Sequence, residues 1–218
     1  MLDKTIEYQT RSFGKLRVVN IINYRKVEVE FVDTGYRVTT KTQSILAGSV
    51  KDKLKPTSFG VGFIGDGPYK SRSGKGFSKQ YQSWQSMLHR CYCPIYQKRA
   101  PTYKGCSVDK GWHDFQSFAK WFDENHIKGY QLDKDIKIKG NKIYSPKTCC
   151  FVSPQKNTEA SCAKTYRLTN PKGVIVDIFN MRKFCEKEGL TRVSLMRVYN
   201  GKKLEYKGWM AAPDCTVK

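Results

Sequence analysis

Histidine is scarce in this sequence: three residues in 218, at positions 89, 113 and 126. His89, His113 and His126 fall in neither a His-Glu-x-x-His nor a closely spaced His–His pattern, which sets aside zinc hydrolases of that kind. A phosphate-binding P-loop, a GxGxxG fingerprint and a GxSxG elbow are also missing, so no small-molecule substrate is evident. Acidic residues are few, 19 Asp+Glu against 40 Lys+Arg. No stretch approaches the roughly 18 apolar residues of a membrane span. The N-terminal MLDKTIEYQT lacks the apolar core of a secretory signal. Eight cysteines are present, yet Cys91 and Cys93 are separated by one residue and Cys149 and Cys150 by none. Without paired CxxC spacings, structural zinc is not expected and the thiols read as small hydrophobes. A mixed site using Cys91, Cys106 and one of the 149–150 pair stays open. Nothing marks a small exported protein, so a reduced, cytoplasmic setting is expected.

What the chain does have is apolar content and positive charge. At 39% hydrophobic and 13% aromatic it builds real cores and is not disordered. The net charge of +21 is spread along it: +8 over 1–80, +7 over 81–157 and +6 over 158–218. Such an excess costs self-repulsion unless a polyanion is the partner, and nucleic acid is the commonest one. The plainer reading is a surface solubilised by lysine. Charge by itself does not select DNA over RNA.

Pattern predicts an α+β protein. Residues 16–22, 26–32 and 36–40 are short β-branched runs around the Asp33-Thr-Gly-Tyr36 turn, suggesting a small antiparallel barrel or curled sheet, an N-terminal β barrel-like module over 1–68. A basic, glycine-rich stretch, 69–80, reads as a linker. Trp84, Met87, Leu88 and Cys91 then share one helix face, and Phe115, Phe118, Ala119 and Phe122 share another over 114–124. A strand over 132–138, a turn at 139–142, a strand over 149–152 and a helix opened by Ser153-Pro154 make a ββα core, placed within 81–160. Over 164–212, strands around Asn170-Pro-Lys-Gly173 precede two short helices. Asn180 caps the first and Thr191 the second (192–199), a β-hairpin plus helix-turn-helix.

Several of these residues form a familiar series. Trp84, Met87-Leu88 and Arg90-Cys-Tyr92 are followed by Tyr103-Lys-Gly-Cys106, Trp112, Phe115 and Phe118. Leu132-Asp-Lys-Asp-Ile136, Gly140-Asn-Lys142, Tyr144-Ser-Pro146 and Cys149-Cys-Phe-Val152 with Pro154 and Asn157 complete it. Over residues 81–158 the chain resembles the HNH-type homing endonuclease-like proteins of bacteriophages. Its C-terminal part resembles the DNA-binding repeat appended to such nucleases, through Asn170-Pro-Lys-Gly173, Phe184-Cys185, Gly189-Leu190, Asn200-Gly-Lys202 and Lys207-Gly-Trp209. The Ser12–Gly65 region resembles the β module that often precedes this core.

The resemblance implies a ββα-metal unit that cuts or nicks duplex DNA with one divalent cation, Mg²⁺ or Mn²⁺, in an infected bacterial cell. It maps the first catalytic element onto Asp133-Lys134-Asp135, the middle asparagine onto Asn141 and the helix residue onto Asn157. Asp133, Asp135 and Asn157 would then hold the metal. Lys134 stands where the general base would be, and lysine, with an unperturbed pKa near 10.4, is a poor base at neutral pH unless buried. An inactive reading follows, in which the ββα unit only docks DNA and Lys134, Lys137, Lys139 and Lys142 meet phosphates. In the C-terminal module, Arg192, Val193, Ser194 and Arg197 are placed to read bases, and Lys202 and Lys203 to bind the backbone. Three functions remain: a DNA endonuclease, a catalytically inactive phage DNA-binding protein on the same scaffold, and an RNA- or ribosome-associated basic protein.

Overall fold

The structure, a computed structural model, describes residues 2–162 and 165–213. The chain is α+β and divides into two compact units. The first takes in residues up to 128 together with 132–151, the second residues 129–131 and those from 152 onward. The expected first residue of the C-terminal module, 164, lies outside the described residues. Among those described, no helix is long and apolar enough to cross a membrane.

The first unit opens with β1 (Glu7–Gln9), β2 (Lys15–Asn23), β3 (Lys26–Phe31) and β4 (Arg37–Thr40), an antiparallel sheet in that order. Leu16, Val18, Val27, Val29 and Phe31 form its inner face, joined by Ile45 of the short helix α1 (Thr42–Leu46) and by Val50. The barrel expected here is corrected to an open sheet. Its edge strands, three and four residues long, do not pair with each other, so a helix and a loop cover the face that closure would have hidden. On the strands, Glu30 lies opposite Arg17 and Arg37 and binds both guanidinium groups.

Next come a small exposed hairpin, β5 (Arg72–Ser73) with β6 (Gly76–Phe77), and the helices α2 (Lys79–Tyr92) and α3 (Pro94–Arg99). β7 (Ser107–Val108), α4 (Phe115–Asn125), β8 (Gln131–Asp133), β9 (Ile143–Tyr144) and β10 (Cys150–Val152) follow. The spacing of Trp84, Met87, Leu88 and Cys91 turns these side chains inward, against the Phe115, Phe118, Ala119 and Phe122 face of α4. Ser78 caps α2 by accepting from the Tyr81 amide, and Asp114 caps α4 by accepting from the Gln116 amide. Trp84 Nε1 donates to the Trp112 carbonyl at 2.8 Å, satisfying the one polar atom of a fully buried indole. The glycine-rich stretch before the hairpin packs on these helices. Gln116 Nε2 donates to the Ile64 and Tyr69 carbonyls at 3.0 Å, and its Oε1 accepts from the Tyr69 amide. A Cβ at Gly62 would sit 2.5 Å from Leu88, so only glycine allows this approach.

β7 pairs in parallel with β9, and β8 pairs with β10. The strand expected over 132–138 ends at Asp133. There Asp133 Oδ1 accepts from the backbone amides of Asp135 and Ile136, both at 2.7 Å, forming a side-chain turn that competes with the ladder.

The second unit contains α5 (Pro154–Cys162), β11 (Thr165–Thr169), β12 (Ile175–Phe179), α6 (Met181–Lys187), α7 (Arg192–Tyr199), β13 (Glu205–Tyr206) and β14 (Trp209–Ala211). Asn170 closes the β11–β12 hairpin, its Oδ1 accepting from the Lys172 and Val174 amides. A second hairpin, β13–β14, joins this sheet through β14 beside β11, giving the order β12-β11-β14-β13. The two short helices therefore lie in a ββααββ unit. Its core is Leu168, Ile178, Met181, Cys185, Leu195, Val198 and Trp209.

Candidate functional site

The turn at Asp133 sets the geometry of the loop behind it. Adjacent side chains on a strand point to opposite faces, which would separate Lys134 from Asp135. Once the strand has ended they meet. Lys134 is buried, at 5% exposure, and its Nζ donates to Asp135 Oδ1 at 2.8 Å, Asp135 Oδ2 at 2.7 Å and the Asn141 carbonyl at 2.8 Å. A lysine ammonium has three donors. All of these contacts converge on it, 5.9 Å from the centre of the buried Tyr144 ring. Asn141 answers from the other side of the loop. Its Nδ2 donates to the Lys134 carbonyl at 2.9 Å and to the Ile143 carbonyl at 2.7 Å, while its Oδ1 accepts from the Ile143 amide.

This arrangement does not suit a divalent cation held by Asp133 and Asp135. Both Asp135 oxygens serve Lys134, and Asp133 Oδ1 serves two backbone amides. Among the described residues no group of three or more His, Cys, Asp or Glu stands together as a metal set. Asn157 lies on α5 in the second unit, where its Nδ2 donates to Gln131 Oε1 at 2.7 Å. Lys134 is also too deeply buried to reach a phosphate. Lys137 and Lys139 are exposed and alternate at the loop tip with exposed Ile136 and Ile138. Lys142, exposed as well, donates to the Thr102 carbonyl at 2.8 Å.

Cys149, just before β10, is fully buried and Cys150 half-buried. Burial pushes the Cys91 thiol up to about 12 and the Cys149 thiol up to about 11. Both are neutral at physiological pH and pack, with Cys106, in the central core.

In the second unit Leu195 and Val198 anchor α7, and Met196 and Tyr199 pack beside them. This leaves Arg192, Val193 and Arg197 exposed and Ser194 half-buried, so the expected reading face points away from the core. Thr191 occupies the N-cap but makes no capping bond. Its Oγ1 instead accepts from the Tyr206 hydroxyl, which in turn accepts from the Thr191 amide. The Thr191 hydroxyl, which can turn to donate, and the Thr191 amide favour the phenolate and hold the Tyr206 phenol below its usual range. Lys203 and Lys207 lie over the Tyr206 ring, at 5.1 and 5.9 Å, and Lys202 is exposed nearby. A groove of about 670 Å³ runs within this unit past Gln155, Tyr166, Arg182, Lys183, Glu186 and Arg192. Sequence reasoning missed Tyr206, whose signal was a tyrosine flanked by Lys203 and Lys207.

No protein-family model matches the sequence, and no curated protein matches it. Among solved structures the chain is similar to one described as DNA binding and cleavage by the HNH homing endonuclease I-HmuI. The two are 13% identical over 94% of this chain and 85% of that chain, with a TM-score of 0.23. The resemblance is distant.

Proposed function

We propose that the protein is an HNH homing endonuclease-like protein that binds duplex DNA and, with its loop arranged as here, does not cut it. The observation that carries this reading is the Lys134 ammonium, which closes on Asp135 and Asn141 where a base and a metal site would have to be. The Lys134 ammonium organises the loop from inside. Binding is assigned to exposed cations: Arg192 and Arg197 on α7, Lys202 and Lys203 after it, and Lys137 and Lys139 at the loop tip. The net charge of +21 supplies the attraction. Cleavage, the second reading, rests on the resemblance and requires the Lys134–Asp135 pair to open.

The test is duplex binding in EDTA followed by plasmid nicking with Mg²⁺ and Mn²⁺. Metal-free binding without nicking is expected. With several phosphate contacts, affinity should fall by ~10³-fold or more between 50 and 200 mM salt. Nicking that needs metal and disappears in Asp133→Ala would establish the second reading in its place. No duplex binding at low salt would remove both.

A further inference from the structure

The N-terminal sheet has a feature that its core does not use. Along β2 the inward alternation stops at Val18, and every residue from 19 to 26 is exposed. On β3 the facing Val27 and Val29 stay buried, and β3 pairs with β4 as far as Val27, so what projects from the β2–β3 ribbon is the turn at 22–26. That turn carries Ile22 and Tyr24, 57% and 67% exposed, followed by Arg25 and Lys26. The tip is held rigidly: Asn23 Oδ1 accepts from the Arg25 and Lys26 amides, and the Tyr24 carbonyl accepts from the Thr42 amide. Arg25 lies over the Tyr24 ring at 5.1 Å. Beside the tip a groove of about 640 Å³ is lined by Tyr24, Arg25, Lys41, Gln43 and Leu46 among others, with no acidic side chain. The sequence is acid-free from 8 to 27 and again from 34 to 51.

We propose that the tip of this ribbon is a second nucleic-acid contact that enters a groove of duplex DNA, a proposal that rests on the DNA-binding reading above. Beyond the last β3–β4 pair only two strands remain, about 4.8 Å apart, and such a tip fits a major groove about 12 Å wide, the same space that admits a helix. Ile22 and Tyr24 then meet sugars and thymine methyl groups, while Arg25 and Lys41 reach the flanking phosphates. Charge complementarity selects this occupant, because a groove lined by Arg25 and Lys41 and by no acidic side chain repels a second copy of itself.

The triple variant Tyr24→Ala, Arg25→Ala, Lys41→Ala changes only exposed side chains, so its melting temperature should stay that of the parent. Anisotropy titrations of a labelled random-sequence duplex in EDTA over a salt series give the readout. At fixed salt affinity should fall ~10–100-fold, and with two phosphate contacts gone the slope of log K against log salt should shrink by about 1.8. Unchanged affinity and slope, in a parent that binds, would overturn the ribbon contact and leave the DNA reading standing. No binding by the parent would overturn that reading itself. A dimer seen by light scattering that the triple variant dissociates, with DNA affinity intact, would assign the tip to self-association and sink the proposal.

Discussion

Lys134 and Asn141 hold each other's backbone. The lysine Nζ donates to the asparagine carbonyl, and the asparagine amide donates to the lysine carbonyl. The two residues close the loop between β8 and β9, and Asp135 neutralises the charge placed inside it.

Removing that charge should loosen the loop. Lys134→Met keeps the apolar stem but leaves the Asn141 carbonyl without its donor, at an expected cost of about 1–3 kcal/mol. Asp135 is half exposed and rehydrates, which keeps the loss below that of a fully buried pair. Denaturant melts read the cost. A Lys134→Met variant as stable as the parent would mean the clamp contributes nothing to folding.

On α7, Arg192→Ala and Arg197→Ala should each lose about 1–3 kcal/mol on a selected site and relax preference there. Lys202→Ala and Lys203→Ala should weaken selected and random duplexes about equally. Site selection followed by competition titrations makes the comparison. Equal losses on both duplexes for the arginine variants would make α7 a phosphate clamp.

Glu30 gives the first sheet an acid-sensitive contact. Its bond to Arg17, then that to Arg37, holds its carboxyl below the ordinary value of 4.5. The stabilisation is complete above pH 4.5 and is lost as pH falls through the lower folded value. The gap in melting temperature between parent and Glu30→Gln should therefore be full at pH 6 and close on acidification below pH 4.5. A gap independent of pH would refute the linkage.

The buried thiols should resist alkylation. At pH 8 a thiol pushed up to about 12, as Cys91 is, has about 10⁻⁴ of its population as thiolate, before access is considered. Iodoacetamide and mass spectrometry should find half-buried Cys93 and Cys150 labelled before the buried Cys91, Cys106 and Cys149 in the native protein. Cys91, Cys106 and Cys149 should label only after unfolding. Early labelling of Cys91 would show that this core opens readily.

Trypsin should cut first at Lys70, Arg72, Lys75 or Lys79, around the exposed β5–β6 hairpin. The fragments should stay together in native gel filtration, because residues before the cut are bound to Gln116. Separation on cleavage would make 69–80 a true linker between independent modules.

What the sequence determined by itself is local. The faces of α2 and α4, the Asn180 cap of α6 and the Asn170 hairpin all follow from period, capping chemistry and turn residues within a few positions of each other. Tertiary structure decided the rest. The Asp133 turn cut a strand short and turned Lys134 inward, where the alternating pattern had set it on the opposite face from Asp135. β14 found its partner in β11, some 40 positions away in the chain, and Gly62 found Leu88 and Trp84. The tip of β2 was left in solvent although it reads as the same β-branched run that is buried four residues earlier. Local patterns fix the direction of a side chain relative to its own backbone. Whether that direction ends in core, in solvent or on a carboxylate depends on which distant segment packs there, and that is settled only when the chain closes on itself.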